Sequence, residues 1–501
     1  MQNLPDKLYR VDSVIRLEQL AINEFGIPAY ELMKRAGQAV FDVIRSRYPE
    51  HKKILILCGA GNNAGDGYVI ARLAQQAGLD VRVASLTDPA TLKNEAQQAY
   101  QDWCRLAENS ALDFSLLEEA ELVVDALLGT GLKREVSGLW ADWIEAVNKT
   151  AKPVIAVDLP SGLMADTGAI AGCAVQADIT VTFIGLKQGL FTAQAKDVCG
   201  EIVFHDLAVP DEAFARLDAD ARLLQSVDYA LLPKRRASSN KGNFGHVLIA
   251  GGNSGMPGAV ILAAKAALRS GAGLVTVVTV AENLQAIATA VPEAMVKTCD
   301  ENTLPEVLNT AFLEKVTHIA IGMGLGQDDW SQALLRFCVS LNKPMLVDAD
   351  ALNLLAENSF TIKSPLVITP HPGEAARLLS TTSRLNSADI QADRFAAVKQ
   401  LFQLFADSES CVVILKGSGS LIYDGRQIKI CALGNAAMAA PGMGDVLSGI
   451  VIALMAQKIE TGVAAELAVC LHAAAAQSVT QDKTRGLLAS DVINELAKVI
   501  Q

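Results

Sequence analysis

The 501-residue sequence predicts an α/β protein with two domains, each organised around a sheet of mainly parallel strands. Short apolar runs, such as KILILC at 53–58 and HVLIA at 246–250, alternate with segments whose apolar residues recur at helical intervals. Glycine-rich or acidic motifs follow several of these runs, which is where parallel sheets bind ligands. The chain is also longer than one hydrophobic core usually supports. We therefore expect one α/β domain at 1–222 and another at 223–501.

The composition argues against a nucleic-acid-binding or membrane protein. The formal net charge is −12 at pH 7, and no long basic cluster appears apart from Lys234-Arg235-Arg236. The first ten residues lack the apolar segment of a secretory signal. Lys458 and Glu460 interrupt the most apolar late stretch, and no uninterrupted run approaches the length that crosses a bilayer.

Cysteine and histidine usage predicts neither a disulfide framework nor a zinc site. The nine cysteines include no C-x-x-C pair, and the six histidines are scattered without metal-ligand spacing. Such usage fits a reducing compartment, so we expect a cytoplasmic protein.

The first domain begins with two predicted helices between residues 10 and 48, separated by a break at Gly26-Ile27-Pro28. The run at 53–58 predicts a strand covered on both faces, followed by a glycine-rich loop at 59–67 and the helical pattern YVIARLAQQAG. The later runs DVRVASL, ELVVDALLG, PVIAVDLPSG and DITVTFIGL predict further strands of a doubly wound parallel sheet.

The glycine-rich loop does not have the spacing of a redox-cofactor site. Its pattern G-x-G-x-x-x-G departs from the dinucleotide fingerprint, and it carries two asparagines and Asp66 where a pyrophosphate needs bare amides. Oxygens of Asn63, Asp125 and Ser161, each placed near a strand end, suit a hard cation. The same residue types also form turns that bond the local backbone, and the residues alone leave both interpretations open.

This half resembles the epimerase domain of the bifunctional NAD(P)H-hydrate repair enzymes. The motifs ELMKRAG, CGAG followed by NNAGDG, VVDALLGTGL and AVDLPSG carry the resemblance in order over residues 10–220. It implies a Rossmann-like sheet and an enzyme that interconverts the R and S forms of hydrated NADH and NADPH (NADHX and NADPHX).

The resemblance also implies roles for particular residues. Two segments would contact the hydrated dinucleotide: Asn62, Asn63, Ala64, Gly65 and Asp66 in the first, and Gly129, Thr130, Gly131, Leu132, Lys133, Arg134 and Glu135 in the second. A potassium ion would be held by Asn63, Asp125 and Ser161. Asp158 would be catalytic. The substrate carries a hydroxyl on C6 beside the ring nitrogen, so a carboxylate that shuttles one proton lets that hydroxyl leave and return through an iminium-like species.

The pattern becomes irregular between about 210 and 235, where we expect the domain boundary. Strands then alternate with motifs once more. The motif residues are Gly322, Gly324 and Gly326 after HIAI, Asp348 and Asp350 after PMLV, His371 and Glu374 after LVIT, and Lys416–Ser420 after CVVIL.

Asp445 is the candidate catalytic residue of the second domain. It precedes the apolar helical run VLSGIVIALMA, so it should lie at a helix start. Gly442 and Gly444 permit a tight turn, and the free N–H groups of a helix start form an anion site. A carboxylate beside such a site suits a general base that deprotonates a group attacking phosphate. A plain N-cap aspartate fits the same position, and the helix start alone does not decide.

The accompanying motifs have simple alternatives too. KGSGS offers amides, hydroxyls and Lys416 to nucleotide phosphates, yet it also suits a hairpin turn. His371 suits a satisfied helix start, and Asp348 and Asp350 suit helix caps. The order of a glycine-rich loop, HPGE, KGSGS and GMGD favours a ribokinase-like fold over four unrelated turns.

Residues 230–495 resemble the NAD(P)H-hydrate dehydratase domain of the same enzymes. The segments MPGAVILAAKAALRSGAGLVTV, VDADALNLL, TPHPGEAARLL, ILKGSGS and AAPGMGDVLSG carry this resemblance. By motif, the hydrated dinucleotide would contact Ala259, Gly324, His371 and Asp445, and the nucleotide phosphates would contact Lys416, Gly417, Ser418, Gly419, Ser420 and Gly444. Ala436-Ala437 departs from the pattern, because glycines are expected there.

Together the resemblances imply repair of hydrated NADH and NADPH with ADP as donor and Mg²⁺ as cofactor. Asp445 would deprotonate the C6 hydroxyl, which attacks the terminal phosphoryl group; the ring nitrogen then expels the phosphate, leaving NAD(P)H and AMP. Two alternatives are a vitamin-precursor kinase of the same fold and a dinucleotide-binding module without turnover. We further expect a homo-oligomer with no nucleic-acid or membrane partner.

Overall fold

The computed structural model of the protein describes residues 4–358, 360–380, 384–481 and 483–500. The chain divides into two compact units, Met1–Arg222 and Leu223–Gln501. Each unit combines helices with a mainly parallel sheet, so the predicted α/β fold class is confirmed.

The first unit contains eight α-helices among its described residues: α1 (Val11–Asn23), α2 (Ala29–Arg47), α3 (Asn62–Gln76), α4 (Asn94–Cys104), α5 (Ser115–Glu119), α6 (Leu139–Asn148), α7 (Ala195–Val198) and α8 (Asp211–Ala215). Its strands are β1 (Lys7–Tyr9), β2 (Lys53–Cys58), β3 (Asp80–Ser85), β4 (Leu122–Ala126), β5 (Val154–Val157), β6 (Ile179–Phe183), β7 (Leu186–Lys187), β8 (Glu201–His205) and β9 (Ala221–Leu224), within which the unit boundary falls.

Six of these strands form a parallel sheet in the order β3-β2-β4-β5-β6-β8. Separate apolar clusters cover its two faces, one built largely from α1 to α4 and the other from α5 and α6. The sheet is therefore doubly wound, as predicted. The chain turns from β3 back past β2 to β4, so the ends of β2 and β4 border the topological switch point, where such sheets bind ligands.

The predicted glycine-rich loop at 59–67 is mostly helical, which corrects the sequence analysis. Helix α3 already begins at Asn62, after Gly61 at φ 78°. Its glycines serve close packing rather than a long turn: a Cβ on Gly65 would lie 2.6 Å from Met33 Cε, and one on Gly67 would lie 2.8 Å from Cys58 Sγ. Tertiary packing thus outweighs the low helix propensity of the glycines.

The second unit contains twelve α-helices among its described residues: α9 (Pro257–Arg269), α10 (Leu284–Ala290), α11 (Leu304–Val307), α12 (Thr310–Leu313), α13 (Asp329–Ser340), α14 (Ala349–Glu357), α15 (Pro372–Leu379), α16 (Ser387–Ala392), α17 (Arg394–Leu404), α18 (Met443–Ala456), α19 (Thr461–Thr480) and α20 (Ala489–Val499). Its further strands are β10 (His246–Ala250), β11 (Leu274–Thr279), β12 (Met295–Thr298), β13 (His318–Ile321), β14 (Met345–Val347), β15 (Leu366–Ile368), β16 (Cys411–Leu415), β17 (Leu421–Tyr423) and β18 (Ile428–Cys431).

These strands follow the order β12-β11-β10-β13-β14-β15-β16-β17-β18. The seven strands from β10 to β16 pair in parallel, whereas β16, β17 and β18 form an antiparallel meander. Helix α18, predicted from VLSGIVIALMA, lies in the core of the unit with α9 and α19. Gly449 allows close contact, because a Cβ there would lie 2.3 Å from the Ala263 carbonyl oxygen.

Helix α19 is the one helix in the described part of the chain that is long and apolar enough to cross a membrane. The sequence analysis overlooked it because Glu466 and His472 interrupt its apolar residues. Within the structure 67% of its most apolar window is buried, as is usual for a core helix.

Candidate active sites

A cavity of about 550 Å³ lies in the first unit beside the switch point of the sheet. The starts of α1 and α2, the amino-terminal end of α3 and the segment at 128–134 line it, together with Asp158 and Lys187. Its lining includes most of the substrate-contacting residues predicted for this unit: Asn62, Asn63, Asp66, Gly129, Thr130, Gly131, Leu132, Lys133, Arg134 and Asp158. Ala64 and Gly65 are instead buried within α3, and Glu135 lies on the exposed continuation of the loop.

Asp158 lies directly after β5 and holds an unusual backbone conformation, with φ 67°. Its N–H donates to the Val181 carbonyl (2.7 Å), which fixes the residue against β6. One carboxylate oxygen, Oδ1, receives every hydrogen bond that the described residues donate to this side chain: from Lys187 Nζ, from Thr182 Oγ1 (3.1 Å) and from the Phe183 N–H (3.3 Å). Oδ2 thus remains for a substrate.

Lys187 is a functional candidate that the sequence analysis missed. Its side chain is 2% exposed, and it lies in the two-residue strand β7. The ammonium group pairs with Asp158 and also donates to Thr182 Oγ1 (3.1 Å) and the Phe183 carbonyl (3.0 Å). A lysine inside an apolar run was the available signal, because such a residue is buried only when it is paired.

Asp125 and Ser161, two of the three predicted cation ligands, are in direct contact. Ser161 Oγ donates to Asp125 Oδ1 (2.6 Å), and the Ser161 N–H donates to Oδ2 (2.8 Å). Asp125 lies within β4 rather than after it, and it is fully buried. Burial raises the pKa of Asp125 to about 6, although hydrogen bonds from Ser161 and Leu127 oppose the shift.

Asn63, the third predicted ligand, is 8% exposed and lies beside Gly129, where a Cβ would approach Asn63 Cβ to 3.3 Å. Its buried Nδ2 has no hydrogen-bond partner among the described residues. One carboxylate combined with neutral amide and hydroxyl oxygens fits a singly charged hard cation, which would also offset the buried charge of Asp125.

Three further acidic residues line the same cavity: Asp66, Glu18 and Glu95. Asp66 comes from α3 and Glu18 from α1, and both line the cavity with Asp158. Burial raises the pKa of Asp66 well above its usual value, and the charges of Asp158 and Glu18 add to the rise while Lys187 opposes it. Burial, Glu95 and Asp158 also raise the pKa of Glu18.

In the second unit, Asp445 lies in the first turn of α18, but it is not the N-cap. Gly442, at φ 83°, occupies that position, so the plain N-cap alternative is wrong. Burial raises the pKa of Asp445 to about 7; Asp348 and Asp350 add to the rise and Lys416 opposes it. A carboxylate with a pKa near neutrality is suited to accept a proton at physiological pH.

A buried ion pair lies beside Asp445. Lys416 Nζ is 2.7 Å from Asp348 Oδ1, and Ser448 Oγ donates to Asp348 Oδ2 (2.7 Å). Burial favours the neutral acid, but Lys416 and the bond from Ser448 outweigh it and hold the pKa of Asp348 below its usual value. Asp348 is the N-cap residue of α14 without capping it, because its side chain is engaged by Lys416 and Ser448.

Gly444 lies against this ion pair. A Cβ there would be 3.3 Å from Lys416 Nζ and 3.7 Å from Asp348 Oδ2. The first turn of α18 thus brings its N–H groups and Asp445 close to a cation, an arrangement that suits an anion.

Lys416–Ser420 forms the loop of a hairpin, since β16 and β17 pair antiparallel with Leu415 opposite Leu421. The alternative interpretation of KGSGS as a hairpin turn therefore describes its structure correctly. Arg394, at 0% exposure, lies beneath the loop and donates to the carbonyls of Leu415 (3.0 Å), Lys416 (3.3 Å) and Gly419 (3.4 Å). A Cβ on Gly417 would lie 2.6 Å from Arg394 Nη1, so that glycine is required.

His371 is the N-cap of α15. Its Nδ1 accepts from the Gly373 N–H (2.9 Å), and Glu374 completes a capping box. The satisfied helix-start interpretation thus describes its contacts. The residue also lies near the ion pair of Lys416 and Asp348, because Oε2 of its capping-box partner Glu374 is 3.8 Å from Lys416 Nζ. Burial and Lys416 lower the pKa of His371, so the ring is neutral at pH 7.

Ala259 and Gly324 lie together, because a Cβ on Gly324 would be 3.1 Å from Ala259 Cβ. The same loop contains Gly326, whose N–H donates to Asp350 Oδ2 (2.9 Å). Asp350 is one of the acids that raise the pKa of Asp445, so this loop borders the site around Asp445. The sequence analysis missed Ser448 and Arg394. Ser448 lies inside α18 and Arg394 is the first residue of α17, and the sequence marks each as an ordinary helical residue.

Comparison with known proteins gives matches to both units. Residues 247–498 match the family described as NAD(P)H-hydrate dehydratase, and residues 29–189 match the family described as YjeF-related protein N-terminus. The chain is 41% identical over 498 residues to a bifunctional NAD(P)H-hydrate repair enzyme of Coxiella burnetii, covering 98% of this chain and 99% of that protein. A protein of the same description from Vibrio cholerae is 42% identical over 503 residues, covering 99% of both chains.

Among solved structures, the chain is similar to an ADP/ATP-dependent NAD(P)H-hydrate dehydratase from Bacillus subtilis, co-crystallised with ATP and Mg²⁺. That similarity has a TM-score of 0.48 at 29% identity and covers 54% of this chain and 94% of the other.

Proposed function

The chain belongs to the bifunctional NAD(P)H-hydrate repair enzymes, and from that premise we propose a residue-level account of how it epimerises and dehydrates hydrated NADH and NADPH. The observation that carries the account is Asp445: a carboxylate with a pKa raised to about 7, at a helix start that suits an anion and near partly buried Lys416. A general base poised at neutral pH beside a phosphate site is what a phosphorylation-driven dehydration requires.

For dehydration, Asp445 removes the proton of the C6 hydroxyl of the S form. The oxygen attacks the terminal phosphoryl group of ADP, and AMP leaves. The ring nitrogen then expels phosphate to form an iminium ion, which loses a proton from C5 to give NADH or NADPH. The phosphates lie on Lys416–Ser420 and the N–H of Gly444, where Lys416 offsets charge that develops in transfer. Ala259, Gly324 and His371 contact the dinucleotide at the edge of the same site.

Asp348 positions Lys416 in this account rather than taking part in proton transfer. Its two oxygens are occupied by Lys416 and Ser448, so it anchors the ammonium group beside Gly444. Arg394 similarly holds the phosphate loop, since its guanidinium donates to three carbonyls at or beside that loop.

For epimerisation, Asp158 handles the proton of the C6 hydroxyl or of the water that replaces it, with Lys187 holding the carboxylate in place. The segments Asn62–Asp66 and Gly129–Glu135 contact the dinucleotide, and the amino-terminal end of α3 suits its pyrophosphate. Asn63, Asp125 and Ser161 would hold K⁺, which when bound supplies a positive charge beside the substrate-binding loop.

Mg²⁺ suits the second site as a partner of the nucleotide. No group of three or more His, Cys, Asp or Glu side chains arranged to hold a metal occurs in the described ranges. Mg²⁺ typically takes one or two carboxylates together with substrate phosphates, and Glu374 and Asp445 beside Lys416 fit that pattern. When bound it would neutralise phosphate charge during transfer.

We also propose that the protein works in the cytoplasm as a homo-oligomer, with ADP as its donor and without a nucleic-acid or membrane partner. The acidic composition and the reduced, largely buried cysteines support this setting.

The function is tested by supplying the full chain with a mixture of R and S hydrated NADH, ADP and Mg²⁺. We expect the absorbance of reduced nicotinamide to recover fully, with one phosphate released for each NADH formed. Recovery of only the S fraction would show that the chain has no epimerase activity. A stable phosphorylated product would indicate a small-molecule kinase instead, and unchanged substrate would indicate a binding module without turnover.

A further inference from the structure

The first cavity contains a second carboxyl group with the placement of a catalytic acid, Asp66. It projects from α3, which follows β2, whereas Asp158 follows β5. Strand β4 lies between these two strands, so their ends are about 10 Å apart at the usual strand spacing. The two carboxyl groups therefore reach the same 550 Å³ cavity from elements that follow different strands of the sheet.

The two groups differ in how they are bonded. Three donors, one of them the ammonium group of Lys187, converge on Asp158 Oδ1. The Asp66 carboxyl has no hydrogen-bond or ion-pair partner in the part of the chain that the structure describes, yet it lines the cavity. Its neighbours are the acids Glu18 on α1 and Asp158 after β5, and the cation Lys187 is already paired.

This difference is what inversion at C6 requires. Replacing a hydroxyl from the opposite side of a carbon needs an acid on one side to protonate the leaving oxygen and a base on the other to deprotonate the incoming water. A single carboxylate can serve only one side at a time. Pairs of carboxyl groups whose environments hold one protonated and the other ionised identify such an acid and base.

We propose that Asp66 is the proton donor of the epimerase site, acting across the nicotinamide ring from Asp158. This inference rests on the proposed function of the cavity and assigns a catalytic role to a residue so far treated only as a substrate contact. It replaces a one-carboxylate shuttle by a pair.

The steps balance without any further reagent. The Asp66 carboxyl gives its proton to the C6 hydroxyl; the C6–O bond breaks, the lone pair of the ring nitrogen forms the N1=C6 bond, and water leaves. A second water adds to C6 from the other side, its proton goes to Asp158, and the N1=C6 electrons return to nitrogen. Asp66 ends ionised and Asp158 protonated, which is the form that catalyses the reverse direction, and solvent in the cavity resets the pair.

The test uses the full chain without nucleotide, so that dehydration does not remove the substrate. One purified epimer of hydrated NADH is incubated in H₂¹⁸O with the wild type, Asp66→Asn, Asp158→Asn and Asp12→Asn, and chiral separation with mass spectrometry follows the product. Asp12 is an exposed acid on α1 outside the cavity lining, so its variant controls for the loss of one negative charge.

We expect one ¹⁸O in each molecule that the wild type epimerises, and a kcat about 100-fold lower in both Asp66→Asn and Asp158→Asn with KM nearly unchanged. Asp12→Asn should match the wild type. Asp66→Glu should recover part of the lost kcat, which a purely structural role would not predict.

Three results would overturn the inference. One is an Asp66→Asn variant that matches Asp12→Asn, and another is a change confined to KM, which would make Asp66 a binding residue only. The third is a product that retains ¹⁶O, which would indicate ring opening and reclosure without loss of the hydroxyl. If the wild type itself gives no acceleration, the epimerase function fails along with the inference.

Discussion

Each unit places a lysine beside carboxylates at the ends of parallel strands, buried in the first unit and partly buried in the second, but the lysines pair with different acids. In the first unit Lys187 pairs with Asp158, the acid proposed to act on substrate. In the second unit Lys416 pairs with Asp348, and the acid proposed to act on substrate, Asp445, has a pKa raised to about 7. The same residue types thus support two different acid–base behaviours.

The comparison shows how the choice of ion-pair partner sets the role of a carboxylate. A lysine in direct contact holds Oδ1 of Asp158 in place, and the described residues donate no hydrogen bond to Oδ2, which the proposed mechanism uses to receive a proton from water. Asp445 gains little from Lys416, because Asp348 and Ser448 already complete that pair, and burial then dominates. A weaker partner leaves an acid that exchanges protons near neutral pH, which suits the deprotonation of a hydroxyl.

The largest expected effect is on Asp445. Asp445→Asn removes the only group proposed to accept the hydroxyl proton, so dehydration should fall by about 10³-fold or more while ADP binding changes little. Phosphate release with the S form and ADP binding by calorimetry measure the two quantities. Asp329→Asn, an exposed acid at the start of α13, is the matched control. Normal turnover in Asp445→Asn would remove the residue from the mechanism.

The next largest effect distinguishes the activity proposed for the first unit from that proposed for the second. Asp158→Ala should leave repair of the S form unchanged, because dehydration uses residues of the other unit. Repair of the R form should slow to the spontaneous epimerisation rate. A time course of NADH recovery from a mixed substrate should then show a fast phase equal to the S fraction and a slow remainder. Equal rates for both forms would contradict the role of Asp158.

Lys187→Met tests the ion pair on which the comparison depends. Removing the lysine leaves partly buried Asp158 without its cation, so we expect the first unit to lose about 3 kcal/mol of stability and epimerisation to fall at least tenfold. The double variant Lys187→Met with Asp158→Asn should recover stability but not epimerisation. Thermal unfolding and R-form repair measure both. If Lys187→Met retains full epimerisation, the pair is structural only.

Arg394→Met should have a smaller effect, confined to the nucleotide. Without the guanidinium beneath it, the loop Lys416–Ser420 loses three hydrogen bonds to its carbonyls, so the KM for ADP should rise about tenfold. The KM for the S form should stay nearly constant. Arg336→Met, an exposed arginine on α13, controls for the loss of positive charge. Equal changes in both KM values would indicate general disruption of the unit.

Local pattern was sufficient to predict the fold class. Apolar runs such as Lys53–Cys58 and the helical run after Asp445 are visible in the sequence, because each depends on residues close in the chain. The predicted start of α3 was wrong, because the packing of Gly65 against Met33 outweighs the turn signal of the glycines at 59–67.

The ion pairs could not be predicted, because they join residues that are distant in sequence. Lys187 meets Asp158 across 29 positions, and Ser448 reaches Asp348 across 100 positions. Arg394 resembles any helical arginine until the hairpin of β16 and β17 is placed over it. The sequence therefore predicted candidate acids without indicating which cation lies beside each of them.

The pH dependence of dehydration tests the central claim most directly, because it reports the pKa of Asp445, whose neighbouring lysine, Lys416, pairs with Asp348 instead. The base must be ionised to act, and the pKa of Asp445 is raised to about 7, so activity should be lost as the pH falls through that value. We predict that kcat/KM for the S form rises about tenfold per pH unit between pH 5 and 7 and is level above that. A profile that stays level down to pH 5 would contradict the account.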